Sequence, residues 1–125
     1  MRRSTITIVA LAIGLAACND SSTGPTANVA GLYSLRAING TNLPVTFSNG
    51  RTLVSDVLTL NVDGTFSDDA QFSDGSVVVE QGFYTNNNGA IDFTDRDTGQ
   101  TFSASLSGTT LTEFVGGLTE VYQRM

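Results

Sequence analysis

Eight turn dipeptides follow one another from residue 39 to the end of the chain. They are Asn39-Gly40, Asn49-Gly50, Asp63-Gly64, Asp74-Gly75, Asn88-Gly89, Thr98-Gly99, Ser107-Gly108 and Gly116-Gly117, spaced 9 to 14 residues apart. Asn-Gly and Asp-Gly supply the positive φ angles that tight hairpins require. A chain broken this often has no room for long helices, and regular turns at this interval point to a sandwich or barrel.

The segments between the turns agree. Leu58, Leu60 and Val62 alternate with Thr59 and Asn61, and Val77 and Val79 with Ser76 and Val78. Ile91 and Phe93 alternate with Asp92 and Thr94, and Phe102, Ala104 and Leu106 with Ser103 and Ser105. Period two marks a strand with one buried and one wet face. Strands are expected at 31–38, 43–48, 51–62, 65–72, 76–85, 90–95, 100–106, 109–115 and 118–124. Short loops make successive strands antiparallel neighbours. A meander of eight or nine strands removes its edges by closing. The expected fold is therefore all-β, a small up-and-down barrel, with a two-sheet sandwich as the alternative.

The start of the chain is different. Met1-Arg2-Arg3 is basic, and residues 6–15 are apolar apart from Thr7 and Gly14. That run is short of the roughly 20 residues that cross a bilayer. A basic start before a short apolar run reads as a secretory signal, with a helix expected over residues 4–17. Leu15-Ala16-Ala17-Cys18 then resembles the lipobox of bacterial lipoproteins. The resemblance implies lipid on the Cys18 thiol and cleavage between Ala17 and Cys18. Two or three acyl chains make a stable anchor, at about 0.8 kcal/mol per buried methylene. Residues 19–29 are mostly small and polar with Gly and Pro, a flexible spacer of roughly 20 Å. The expected organisation is a signal peptide over 1–17, a lipidated tether over 18–29 and a folded domain over 30–125. The expected location is the cell envelope, on the inner or the outer membrane, with the domain outside the cytoplasm.

Gly31-Leu32-Tyr33-Ser34-Leu35, followed by Asn39-Gly40 and Leu43-Pro44, resembles the opening of bacterial lipocalin-like domains. Leu58 to Phe66, through Asp63-Gly64-Thr65, resembles a hairpin of the same family. So do Gly82-Phe83-Tyr84 with Ile91-Asp92-Phe93, and the closing Val121-Tyr122-Gln123-Arg124. The resemblance spans residues 30–124. It implies that Arg124 of the last strand stacks on Tyr33, which stands where the family has Trp, and closes the barrel floor. The opening is also similar to META domains of heat-shock-type lipoproteins, but their Gly-Cys-Asn motif has no counterpart, since Cys18 is the sole cysteine.

Charge and composition narrow the chemistry. The chain carries −6, and loss of Arg2 and Arg3 would leave four arginines against twelve acids, a net of −8. Such a surface is repelled by nucleic acid and by anionic lipid heads. With no His and no Lys, and with its one thiol assigned to lipid, the domain lacks the usual activated nucleophiles and His-ligated metals. No cofactor and no enzymatic activity are expected. Paired acids could hydrolyse a glycoside if they faced one another about 5–10 Å apart. Asp68, Asp69, Asp74, Glu80, Asp92, Asp95 and Asp97 are the candidates, but most fall at turns, where Asp bonds locally. Asp95-Arg96-Asp97-Thr98-Gly99 lacks the remaining ligands of a calcium loop. Phe47, Phe66, Phe72, Phe83, Phe93, Phe102 and Phe114 are expected in the core, or in part lining a cavity. The functional expectation is a binding module for a small apolar ligand; the alternative is a filled barrel that meets another envelope protein.

Overall fold

A computed structural model describes residues 29–125. The residues of the expected signal helix, Ala17, Cys18 and most of the expected tether lie outside the described residues. Ten strands follow in order: β1 (Gly31–Ile38), β2 (Thr41–Asn42), β3 (Val45–Thr46), β4 (Thr52–Leu60), β5 (Thr65–Phe72), β6 (Val77–Asn87), β7 (Ala90–Asp95), β8 (Thr101–Ser107), β9 (Thr110–Val115) and β10 (Leu118–Arg124). From β4 to β10 each strand pairs antiparallel with the next, and β1 pairs with both β10 and β4. The eight strands β1 and β4–β10 thus form a closed antiparallel barrel, with β2 and β3 as short extra strands.

The turn chemistry sets this meander. Asn39 and Gly40, with φ of 50° and 83°, and Asn88 and Gly89, with 54° and 91°, hold positive φ at both central positions. That is the two-residue turn whose twist matches the flanking strands. Asp63 and Asp74 fix their turns otherwise: each Oδ1 accepts from the backbone N–H and the hydroxyl two residues on, in Thr65 and Ser76.

Two expected strands are shorter than the sequence suggested. The 43–48 segment contributes only β3, and the 51–62 segment ends at Leu60, leaving Val62 in a turn and 70% exposed. The first difference has a topological cause. β1 and β4 pair only through Gly31–Ser34 and Leu60–Val57. Beyond that they part, β1 taking β2 and β4 taking β3 as short partners. The barrel wall therefore has a slot between β1 and β4.

One end of the barrel is an apolar floor. Tyr33, Leu58, Leu60, Ile91, Phe93, Leu111 and Tyr122 are almost fully enclosed, and Val29 packs with them, one residue before the segment expected to fold. Burying such a side chain contributes about 1.5–3 kcal/mol. Phe66 meets Phe93 edge-on at 5.1 Å, and Phe93 stacks on Phe102 at 4.8 Å. Phe47, Phe72 and Phe102 pack partly buried against this core. Phe83 and Phe114, also expected inside, are 54% and 50% exposed. Their strands turn Gly82 and Tyr84, and Leu111 and Glu113, inward instead, so alternation puts Phe83 and Phe114 outside. Val77 and Val79 are exposed for the same reason.

Gly82 lets the Thr94 backbone and the Phe66 ring approach closely. A Cβ there would lie 2.0 Å from the Thr94 carbonyl oxygen and 2.8 Å from the Phe66 ring.

Candidate functional site

The inward faces carry acid as well as hydrocarbon. Asp56 on β4 shares the strand parity of buried Leu58 and Leu60, Asp68 on β5 that of Phe66, and Glu80 on β6 that of Gly82 and Tyr84. Glu113 on β9 follows Leu111, and Glu120 on β10 precedes Tyr122, each at the same parity. Five carboxyls thus face the interior above the apolar floor. Two pairs stand directly opposite across neighbouring strands, Asp68 with Glu80 and Glu113 with Glu120. Like charges so placed destabilise a sheet.

The cluster converges on Tyr122, whose hydroxyl lies 3.4 Å from both Asp56 Oδ2 and Glu120 Oε1. Glu113 is 3% and Asp56 6% exposed. Asp56 Oδ1, Asp68 Oδ1 and Glu113 Oε1 are enclosed and receive no hydrogen bond from any amide or hydroxyl. None of the four arginines among the described residues balances them. Arg124 sits at the floor, Arg51 lies over the Phe72 ring, Arg96 bonds Gln81 and pairs with Asp97 at the surface, and Arg36 is exposed.

Burial is the largest cause that moves these groups. It pushes Asp56 up to about 6, Glu80 up to about 7 and Glu113 up to about 9, and raises Asp68 and Glu120. Hydrogen bonding then splits the acids into pairs, Asp68 with Asp56, Glu113 with Glu120 and Glu80 with Asp95. In each pair the interaction pushes the first-named carboxyl up and draws the second down. The Tyr122 phenol, enclosed among these carboxyls, is also raised well above its ordinary range, mainly by burial.

The slot between β1 and β4 holds an open cleft of about 450 Å³, lined by Ser34, Leu35, Arg36, Asn42, Leu43, Val54 and Ser55. Asp56 follows Ser55, and Leu35 stands opposite Tyr122 in register. The cleft therefore neighbours the acidic cluster in sequence and register, and its own lining holds none of the five acids.

The residues named from sequence fall into three groups. Cys18 and Ala17 lie outside the described residues. The Arg124 guanidinium carbon lies 5.5 Å from the Tyr33 ring centroid, and its Nη2 donates to the Ala30 carbonyl. The Tyr33 hydroxyl donates to the Val29 carbonyl at 2.5 Å. Of the candidate acids, Asp69, Asp74, Asp92 and Asp97 are exposed, while Asp68 and Glu80 turn inward. Asp95 Oδ1 accepts from the backbone N–H of Asp97 and Thr98 at 2.7 and 3.0 Å, the local bonding of a turn. Among the described residues no group of three or more acids is placed to hold a metal ion. Sequence reasoning missed Asp56, Glu113 and Glu120. Their signal was parity, since each sits in step with the apolar residues of its own strand.

No protein-family model matches the sequence, and no curated protein matches it. Two solved structures are similar. A lipocalin-like protein from Bacteroides uniformis ATCC 8492 superposes with a TM-score of 0.52 at 19% identity, covering 78% of this chain and 99% of that one. An uncharacterized protein from Bacteroides eggerthii DSM 20697 gives 0.50 at 16%, covering 77% and 98%. At these identities the likeness concerns fold, and the fold of this chain is that of a lipocalin-like β-barrel.

Proposed function

We propose that this chain is a lipid-anchored protein of the cell envelope whose barrel binds a small molecule and performs no chemistry on it. The observation that carries the binding reading is the divided interior. A packed apolar floor closes one end, above it lie acids with unbonded oxygens, and an open cleft is lined by Ser55, next to Asp56 in sequence, and by Leu35, the register partner of Tyr122. A cleft of this size lies within the ordinary range for small ligands, roughly 300–1,000 Å³. The apolar surface expected for a ligand is supplied at the cleft by Leu35, Leu43 and Val54. The aromatic cluster of the core packs upon itself. The anchor rests on the Leu15-Ala16-Ala17-Cys18 sequence.

Native mass spectrometry of the protein purified from its own host tests the binding reading. A co-purifying small molecule supports it, and a ligand-free barrel that co-purifies with a protein overturns it. Labelling with radioactive palmitate, with Cys18→Ser as control, tests the anchor. An unlabelled protein, or a Cys18→Ser variant still held at the membrane, contradicts it.

One observation favours the interaction alternative. Val77, Val78 and Val79 are each about half exposed. They lie on the part of β6 that β7 does not pair, since that ladder ends at Gly82 and Asp95. An open, apolar strand edge is a template for another strand.

A further inference from the structure

The barrel has four resident arginines, and none faces the acids of its interior. The acids flank one place in the wall. Asp56 and Asp68 come from β4 and β5, and Glu113 and Glu120 from β9 and β10. These strands lie on either side of β1, whose separation from β4 opens the slot. Other elements add no positive charge among the acids, and Arg36 of β1 is exposed and lines the slot itself. β1 presents Leu35 and Ile38, β6 presents Glu80, β7 presents Asp95, and β8 presents Ala104 and Phe102. A buried carboxylate is costly unless it is paired. Two of these carboxyls are more than nine-tenths buried, Asp56 and Glu113, and each has an oxygen that no amide or hydroxyl reaches.

We propose that the ligand is a small organic cation, an alkylammonium whose charged nitrogen sits among Asp56, Asp68, Glu113 and Glu120 beside Tyr122 and whose apolar body lies in the slot against Leu35, Leu43 and Val54. The inference rests on the small-molecule reading above and names the chemical class of that ligand. A primary ammonium has three N–H donors and needs no acceptors, and the cluster offers acceptors with few donors. A hard metal ion fits less well, since calcium or magnesium takes six or more oxygen ligands, and no group among the described residues is placed to hold one. Protons now shared between Asp68 and Asp56, and between Glu113 and Glu120, would leave as the ammonium enters. Binding therefore releases protons and tightens as pH rises, until the amine itself is deprotonated.

The test is isothermal titration of the full chain in detergent with hexylammonium chloride, 1-hexanol and calcium chloride, at pH 5.5 and 8. Hexylammonium should bind at pH 8 with proton release, and more weakly at pH 5.5. Charge-pair couplings of the size measured at buried interfaces imply that Glu113→Gln or Asp56→Asn weakens binding by at least roughly tenfold. Asp92→Asn, on the outer face, should change nothing. Circular dichroism identifies a variant that fails to fold, and the other acid variant then stands in for it. Equal binding of hexanol and hexylammonium overturns the ammonium assignment while leaving a small-molecule barrel intact. Calcium binding that displaces hexylammonium overturns it in favour of a metal. Absence of hexylammonium binding at both pH values, or binding unchanged in both acid variants, also overturns it. The co-purification experiment judges the parent reading separately.

Discussion

Replacing Glu113 by Gln should stabilise the barrel at alkaline pH and flatten its dependence on pH. Glu113 is 3% exposed and stands opposite Glu120. Burial first, then Glu120 and Asp68, push its carboxyl from 4.5 to about 9. The folded state therefore holds a proton that the unfolded chain loses. Stability from that proton is complete below pH 4.5 and declines as pH rises toward 9. Each proton of difference changes stability by about 1.4 kcal/mol per pH unit. Over the whole window the loss is on the order of 5 kcal/mol, comparable to the total stability of a small domain. Asp56, raised to about 6, adds to the slope at its lower end. The opposite trend appears only at the acid side, where Asp63, Asp74 and Asp95, held below their ordinary value by turn hydrogen bonds and, for Asp95, first by Glu80, become protonated. The barrel should be most stable near pH 4–5. Urea unfolding, followed by far-ultraviolet circular dichroism because the chain has no Trp, measures this between pH 4 and 9. Gln is neutral and nearly isosteric, so Glu113→Gln should gain about 2 kcal/mol or more over the parent at pH 8 and gain nothing at pH 4.5. A parent chain that grows more stable from pH 5 to pH 8, or a Gln variant weakened equally at both, would refute the reasoning.

Three further outcomes follow from packing. Gly82→Ala should cost about 3 kcal/mol or more by urea unfolding, because its Cβ would collide with the Thr94 carbonyl, which is backbone and cannot swing away. Phe93→Ala should cost about 3–5 kcal/mol, since its ring meets Phe66, Tyr84 and Phe102; a loss under 1 kcal/mol would contradict the packing. Arg124→Leu should cost about 1–2 kcal/mol through the lost contact with Tyr33 and the lost bond to Ala30, and Tyr33→Leu should then add less in that background than in the parent.

The fold was legible because turns and alternation are local. Asn88-Gly89 demands its hairpin whatever lies around it, and Leu58 and Leu60 face one way in any antiparallel sheet. The slot was not legible, because it depends on where β1 and β4 stop pairing, at Ser34 and Val57, 23 residues apart in sequence. Phe83 and Phe114 were misjudged because an aromatic suggests the core by its type, whereas strand parity decides its side. The acids were misjudged for the converse reason. Asp68 and Glu80 stand out in the sequence only as carboxylates among several near turns, and Asp56, Glu113 and Glu120 do not stand out at all, although they keep step with Leu58, Leu111 and Tyr122. Charge suggested solvent, and alternation, the stronger rule in a closed barrel, placed all five inside.

The inward-facing acids can be observed one by one. Carbon-13 carboxyl resonances of the ligand-free protein, titrated from pH 3 to 10 with assignments taken from single Gln and Asn variants, report each protonation directly. The account predicts that Glu113 titrates well above neutrality and Glu80 near 7, while Asp63 and Asp74 titrate below the ordinary value for aspartate. Carboxyls that all titrate together between pH 3 and 5 would contradict an acid-lined interior.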